Sequence, residues 1–202
     1  MEQQKHMLKI GLTGNIASGK TISENIFKSF GFKVISADDI VHDLLENDKN
    51  VIKKVTSIFQ NFDIYENNTL SRKKIGKIVF ENKNLRTKLE NIIHIEVIRK
   101  INEFFKHNKD EKATIASIPL LFEAKLQNMF DIIIFVQANE NIRLERLMNR
   151  NNYSEEFAKK IMNTQMDENL KIPLSNFVIK NNTNEKSLKV QIEDIVKKLS
   201  IL

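Results

Sequence analysis

The clearest chemistry in the sequence is that of Gly14-Asn15-Ile16-Ala17-Ser18-Gly19-Lys20-Thr21, which follows the pattern G-x-x-x-x-G-K-[ST] of a phosphate-binding loop. In such a loop, main-chain N–H groups at a helix N-terminus bind phosphate oxygens. The lysine reaches the β- and γ-phosphates, and the hydroxyl ligates Mg²⁺. We therefore expect these eight residues and Ile22 to bind a nucleotide, with Lys20 in catalysis and Thr21 on the metal.

The residues on either side of the loop fit this prediction. Met7 to Thr13 is an apolar run of strand length, and the apolar residues from Ile22 to Phe30 share one helix face. Gly31 suits a left-handed C-terminal cap for that helix. A chance match in a glycine-containing loop is the alternative, and the order of strand, loop and helix argues against it.

An acidic pair follows the second predicted strand, Phe32–Ser36. The carboxyl ends of strands in an open α/β sheet border the ligand crevice, so Asp38 or Asp39 could orient an attacking hydroxyl or bind the metal. The alternative is that one of them caps the next helix.

Three arginines, Arg143, Arg146 and Arg150, are spaced to lie on one helix face. A polar helical segment follows them, in which Ser154 is the expected N-cap of the next helix. With a phosphate-binding loop in the chain, this pattern favours a lid that closes on nucleotide phosphates, with Arg146 and Arg150 as contacts. A solvated basic helix is the alternative.

These residues require a scaffold that brings strand ends together. Further apolar strands are predicted at residues 113–118, 131–136 and 177–180, and they alternate with helices. The expected fold is α/β, a P-loop NTPase-type three-layer sandwich with a five-stranded parallel sheet. We expect core segments at about 7–39, 110–140 and 174–202, a helical acceptor-binding insertion at about 40–109 and a lid at about 141–173.

The predicted insertion contains no convincing strand, and a simple crossover needs far fewer residues. Helices are expected at 51–59, from Leu70, and along 85–104. Among the basic residues of the insertion, Arg72 is the one that we expect to bind a ligand. His94 lies within a predicted helix, where a lone histidine is more often structural than catalytic.

Composition limits the broad class of protein. The chain has 202 residues, of which 41% are hydrophobic and 29% charged, and a net charge of +6. This profile is that of a globular protein, and the charge suits nucleic acid, an anionic membrane surface or phosphorylated small molecules. The basic residues form no run of five, which disfavours nucleic acid. Cysteine is absent and no apolar stretch approaches membrane-spanning length, so the default expectation is a cytoplasmic protein.

Several nucleotide-binding classes fit poorly. No glycine completes a D-x-x-G switch, and Asn82-Lys83-Asn84-Leu85 lacks the acid of a base-reading N-K-x-D. A mechanical ATPase needs more chain than is present. A kinase acting on a nucleoside, a nucleotide, a small polyol or another small acceptor fits best, and a binding module without chemistry remains an alternative.

Motifs along almost the whole chain are shared with one family of small-molecule kinases. They are Gly11-Leu12-Thr13-Gly14 with Ser18-Gly19-Lys20-Thr21, Ser36-Ala37-Asp38 with His42, Leu70-Ser71-Arg72 with Gly76 and Val79-Phe80, Leu89 with His94, Ile118-Pro119-Leu120-Leu121-Phe122-Glu123, Arg146-Leu147 with Arg150, Gln165, and Asn181-Asn182. In this combination the chain resembles the dephospho-CoA kinase family. It departs from that family at Ser36 and Ser71, where aspartate is usual, and Asp39 is expected to supply part of the lost charge.

The resemblance implies ATP-dependent phosphorylation of the ribose 3′-hydroxyl of dephospho-CoA, the last step of CoA biosynthesis, with Mg²⁺ as cofactor. It implies ATP and dephospho-CoA as partners, no nucleic acid or membrane, and a monomer or weak homo-oligomer. Asp38 is expected to take or orient the hydroxyl proton, and ATP to contact the loop, Arg146, Arg150 and Asn181. The expected acceptor-binding residues are Asp38, His42, Arg72, His94, Pro119 and Leu120.

Overall fold

The computed structural model describes residues 7–199. In chain order its elements are β1 (Leu8–Gly14), α1 (Lys20–Ser29), β2 (Lys33–Ser36), α2 (Ala37–Asn47), α3 (Lys49–Ile58), β3 (Tyr65–Glu66), β4 (Thr69–Leu70), α4 (Arg72–Glu81), α5 (Lys83–His107), β5 (Ala113–Ser117), β6 (Ile132–Gln137), α6 (Glu140–Asn151), α7 (Glu155–Met162), α8 (Glu168–Lys171), β7 (Phe177–Lys180) and α9 (Glu185–Leu199). Short 3-10 helices lie at Gln127–Met129 and Ile172–Leu174. The chain forms two compact units, one running to Ser36 and resuming at His107, the other Ala37–Lys106.

The first unit is built on a parallel five-stranded sheet with the order β2-β5-β1-β6-β7. Strand β1 lies in the centre, where Ile10 pairs with Ile115 of β5 on one side and Ile132 of β6 on the other. All three isoleucines are buried. The predicted parallel α/β fold and its five strands are confirmed.

The core of this unit lies where α1 and α9 pack together beside the sheet. Phe27 of α1 is fully buried and contributes to the same apolar cluster as Ile192 of α9 and Ile134 of β6. Helix α1 ends where predicted, since Gly31 has a φ of +88°. This packing fixes the N-terminus of α1 at the carboxyl end of β1.

The second unit contains α2–α5 and a small hairpin. Its helices include the three predicted ones, with Asp48 accepting hydrogen bonds from the Asn50 and Val51 amides at the start of α3. The pKa of Asp48 lies below its ordinary value, and the main cause is the hydrogen bond that its carboxylate accepts from the Val51 amide. Ser71 caps α4 through the Lys74 amide, so the residue that departs from the family pattern has a local structural role.

The expectation that the insertion lacks strands was wrong. Strands β3 and β4 pair antiparallel, with Tyr65 opposite Leu70. The connecting residues Asn67 and Asn68 have φ values of 49° and 62°. Two consecutive left-handed residues make the type of tight turn that favours a hairpin, and asparagine tolerates that conformation better than most residues.

Candidate active site

The phosphate-binding loop joins β1 to α1 and is held by hydrogen bonds from two of its amides. The Ser18 amide donates to the Asn15 carbonyl oxygen at 3.0 Å, and the Ile16 amide donates to Gln165 Oε1 at 2.7 Å. Helix α1 then begins at Lys20, the predicted catalytic lysine. Gln165 comes from the segment after α7, so a hydrogen bond from the Ile16 amide to the Gln165 side chain attaches the predicted lid to the loop.

Gly14 and Gly19 are both required, because neighbouring atoms leave no room for a side chain at either position. Gly19 has a φ of +94°, and a Cβ there would lie 1.9 Å from Asn181 Nδ2. A Cβ on Gly14 would lie 2.5 Å from the Val136 carbonyl oxygen. No other residue type fits either position without movement of its neighbours.

Arg146 and Asn181 both form hydrogen bonds with residues of the loop. Arg146 donates to the Ala17 carbonyl oxygen at 3.4 Å and to the Asn181 carbonyl oxygen at 3.1 Å. The Asn181 side chain donates to the Ser18 carbonyl oxygen at 2.8 Å. Main-chain oxygens therefore hold the guanidinium beside the loop. Direct contact of either side chain with ATP stays a prediction.

The three arginines of α6 differ in their environments. Arg143 is buried and donates to the Ala138 carbonyl oxygen, with its guanidinium 3.8 Å from Glu168. Arg150 is exposed and donates to Asn151 Oδ1. The Arg143 guanidinium is therefore held by protein groups, and ligand contacts by Arg146 and Arg150 stay a prediction.

A buried lysine supports Asn15, the second residue of the loop. Lys171 is 1% exposed, and its Nζ lies 2.7 Å from Asn15 Oδ1 and 2.6 Å from Glu123 Oε1. The Met166 amide donates to the same Glu123 oxygen at 3.0 Å. No local pattern in the sequence marks this network, because its members come from segments more than forty residues apart.

A second group of buried polar side chains surrounds Lys20. Lys20 Nζ lies 2.9 Å from Glu24 Oε1 and 2.8 Å from Ser117 Oγ. Ser117 in turn donates to Glu24 Oε1 at 2.5 Å. Neither Glu24 nor Ser117 was predicted as a site residue.

Metal ligation at the loop is limited to oxygen donors. Thr21 is exposed in the first turn of α1, and Ser18 Oγ is buried with no hydrogen-bond partner among the described residues. Within that same part of the chain, no three His, Cys, Asp or Glu side chains gather into a group that could hold a metal ion. The donor set suits Mg²⁺ held largely by substrate phosphates and water, which is its usual mode in kinases.

The predicted acceptor-binding residues fall in both units. In the first unit, the Pro119 carbonyl oxygen accepts from Thr13 Oγ1 at 3.3 Å, and Leu120 is exposed. In the second unit, His42 Nδ1 lies 3.2 Å from Glu46 on the same helix. Arg72 and His94 are exposed on α4 and α5.

The acidic pair lies in the first turn of α2, directly after β2. The helix begins at Ala37, so Asp38 and Asp39 do not take the N-cap position considered for them. Ser36, two residues before Asp38, pairs with Ser117 across the sheet. Because two residues of extended chain span about 7 Å, the Asp38 Cα lies within about 7 Å of the Ser36 Cα at the end of β2.

No helix between residues 7 and 199 combines the length and apolar character needed to cross a bilayer.

Comparison with known proteins gives consistent matches along the chain. A family model described as dephospho-CoA kinase matches residues 8–187. A Bacillus cereus protein named dephospho-CoA kinase is 36% identical, with 96% of this chain and 98% of that protein covered. One of the same name from Fusobacterium nucleatum is 38% identical, with 94% of each covered. The solved structure of dephospho-CoA kinase from Campylobacter jejuni is 31% identical, with a TM-score of 0.72 over 95% of this chain and 96% of that one.

Proposed function

The chain belongs to the dephospho-CoA kinase family, and we propose an assignment of its residues to ATP-dependent phosphorylation of dephospho-CoA, the last step of CoA biosynthesis. The single observation that carries this assignment is the loop of residues 14–21, which lies between β1 and α1 and is held by Arg146, Gln165 and Asn181. The proposal includes a cytoplasmic enzyme that works as a monomer or weak homo-oligomer.

ATP binds through its phosphates to the loop amides and the N-terminus of α1. Lys20 exchanges its contacts with Glu24 and Ser117 for the β- and γ-phosphates. Arg146 is already at the loop, and Arg150, which is exposed four residues further along α6, reaches the phosphates when the segment 141–173 closes as a lid. Support for this arrangement comes from the position of Arg146 on the Ala17 carbonyl oxygen.

Mg²⁺ fits the oxygen donors at the start of α1, and Thr21 is the residue that holds it. When bound there, the ion would supply positive charge that offsets the negative charge of the transferring phosphoryl group. Lys20 and Arg146 add fixed positive charge beside the transferring group.

Asp38 orients the 3′-hydroxyl of dephospho-CoA and accepts its proton. The ribose oxygen forms a bond to the γ-phosphorus as the bond to the β–γ bridging oxygen breaks, and ADP leaves with that electron pair. The exposure of Asp38 in the first turn of α2 supports this role, because the carboxylate is accessible to a substrate. The unit Ala37–Lys106 binds the remainder of the acceptor, with contributions from His42, Arg72 and His94, and Pro119 and Leu120 of the first unit also bind it.

Phosphoryl transfer to a panel of acceptors tests the proposal. Purified protein is incubated with MgATP and dephospho-CoA, a nucleoside, a nucleotide or a small polyol, and ADP and CoA are separated by chromatography. We expect CoA only with dephospho-CoA. Faster transfer to another acceptor would reassign the substrate, and ATP binding without transfer to any acceptor would indicate a binding module. Steeply salt-dependent retention on DNA or RNA would support a nucleic-acid function instead.

A further inference from the structure

Glu24 is a buried carboxylate one helical turn beyond the phosphate-binding loop. It is 5% exposed, and its Oε1 accepts from both Lys20 Nζ and Ser117 Oγ. Ser117 is itself fully buried at the last position of β5, the strand beside β1. A negative charge in this environment is stable only with a cation close by.

Substrate binding removes the cation that Glu24 now has. Lys20 contacts Glu24 in this structure, whereas a loop lysine of this type contacts the β- and γ-phosphates when a nucleotide is bound. After that exchange, Ser117 would be the hydrogen-bond partner left to the carboxylate among residues 7–199. Another cation therefore has to arrive with the nucleotide.

The second cation available is the magnesium ion of MgATP. Thr21, its expected ligand, is three residues before Glu24, so the two side chains project from the same face of α1. P-loop NTPases hold Mg²⁺ between the loop hydroxyl and an aspartate from a neighbouring strand. The strand-end residue beside the loop lysine here is Ser117, a neutral hydroxyl, and the carboxylate bonded to that hydroxyl is Glu24.

We propose that Glu24 supplies the carboxylate of the magnesium site, by accepting hydrogen bonds from water on the nucleotide-bound ion. Helix α1 would then provide both the hydroxyl and the acid of the site, with Ser117 orienting the acid. Mg²⁺ retains several waters in such sites, so contact through water is the expected mode. The inference rests on the proposed binding of MgATP at the loop.

The test is the effect of Mg²⁺ on the affinity for a non-hydrolysable ATP analogue, measured by calorimetry with Mg²⁺ or with EDTA. Wild type should bind more tightly with Mg²⁺. Glu24→Gln keeps the side-chain volume and removes the charge, and should reduce that magnesium-dependent gain by about tenfold or more. Glu193→Gln, which removes an exposed i,i+4 partner of Lys197 on α9, should leave the gain unchanged.

A relocated carboxylate separates the metal role from a structural one. Glu24→Gln/Ser117→Asp moves the acid from the helix to the strand end, and should recover most of the magnesium-dependent gain. If Glu24 only neutralises Lys20, Glu24→Gln will change affinity by the same factor in Mg²⁺ and in EDTA, which overturns the inference. A wild-type protein that binds no analogue in either condition would refute the proposed function, and the inference with it.

Crystals of the wild-type protein grown with the analogue and Mn²⁺ give a readout that needs no variant. The anomalous peak of the metal should lie about 4–5 Å from a Glu24 carboxylate oxygen, because a metal–water distance of about 2.1 Å and a water–carboxylate distance of about 2.7 Å together set the upper limit. A metal bound to the analogue but much further from Glu24 would overturn the inference.

Discussion

Gly19→Ala tests the geometry of the loop at its tightest point. The new Cβ would lie 1.9 Å from Asn181 Nδ2, at a backbone φ of +94°. An ordinary nonbonded separation needs the amide to move by more than about 1 Å. That movement breaks the 2.8 Å hydrogen bond from Asn181 to the Ser18 carbonyl oxygen.

The expected cost has two parts. Left-handed backbone costs a residue with a Cβ about 1–2 kcal/mol. Losing the hydrogen bond and leaving a buried carbonyl oxygen unsatisfied costs about 1–3 kcal/mol more. The free energy of unfolding should therefore fall by about 2–5 kcal/mol. ATP affinity should fall by about a hundredfold, because amides that bind phosphate are displaced by about 1 Å.

Gly31→Ala is the matched control. Gly31 has a φ of +88°, and a Cβ there meets nothing within 4 Å. This substitution should lower the free energy of unfolding by the cost of the left-handed backbone only, about 1–2 kcal/mol, and should leave ATP affinity unchanged.

The assays are urea unfolding, followed by circular dichroism, and calorimetric titration with ATP. In an Asn181→Ala background the side-chain clash is gone, so Gly19→Ala should cost no more than Gly31→Ala does in wild type. The reasoning is refuted if Gly19→Ala binds ATP like wild type and loses no more stability than Gly31→Ala.

Three further predictions concern catalysis, the buried lysine and acid stability. Asp38→Asn should leave the dissociation constant for ATP unchanged and lower turnover by about 10²–10⁴-fold, as measured by ADP release; near wild-type turnover removes Asp38 from the proposed role. Lys171→Met leaves the Glu123 carboxylate without its cation, and should lower the free energy of unfolding in urea by about 3–5 kcal/mol; a loss below about 1 kcal/mol would mean that the ion pair contributes little. Asp48→Ala should cost about 1 kcal/mol at neutral pH through loss of the α3 cap. Because the hydrogen bond from the Val51 amide lowers the folded-state pKa of Asp48, the contribution of the cap is fully present above the unfolded-state pKa and is lost as pH falls through the folded-state pKa. Wild type and Asp48→Ala should therefore converge in acid, and a difference that persists there contradicts the assignment.

Features with a local sequence signal were predicted well. The loop, its flanking elements and the cap at Ser154 depend on neighbouring residues, and the structure confirms them. The hairpin at Tyr65–Leu70 was missed because each strand has two residues, too few to show an alternating pattern.

The polar networks could not be predicted from local patterns. Glu24 meets Ser117 only because β5 pairs with β1, and that pairing joins residues about a hundred positions apart. Arg143 shares a helix face with Arg146 by spacing, yet its guanidinium turns towards the Ala138 carbonyl oxygen. Spacing defines which side of a helix a residue occupies, whereas the neighbouring segments decide what it contacts.

The central place of β1 has a consequence for how the protein is made. This strand leaves the ribosome before the other four strands of the sheet, and its partners β5 and β6 begin about a hundred residues later. At synthesis rates of about 5–20 residues per second, the apolar strand β1 therefore stays unpaired for about 5–20 s. Nascent chains stalled before Ala113 would therefore present β1 to chaperones, and the nucleotide site can only assemble late in translation.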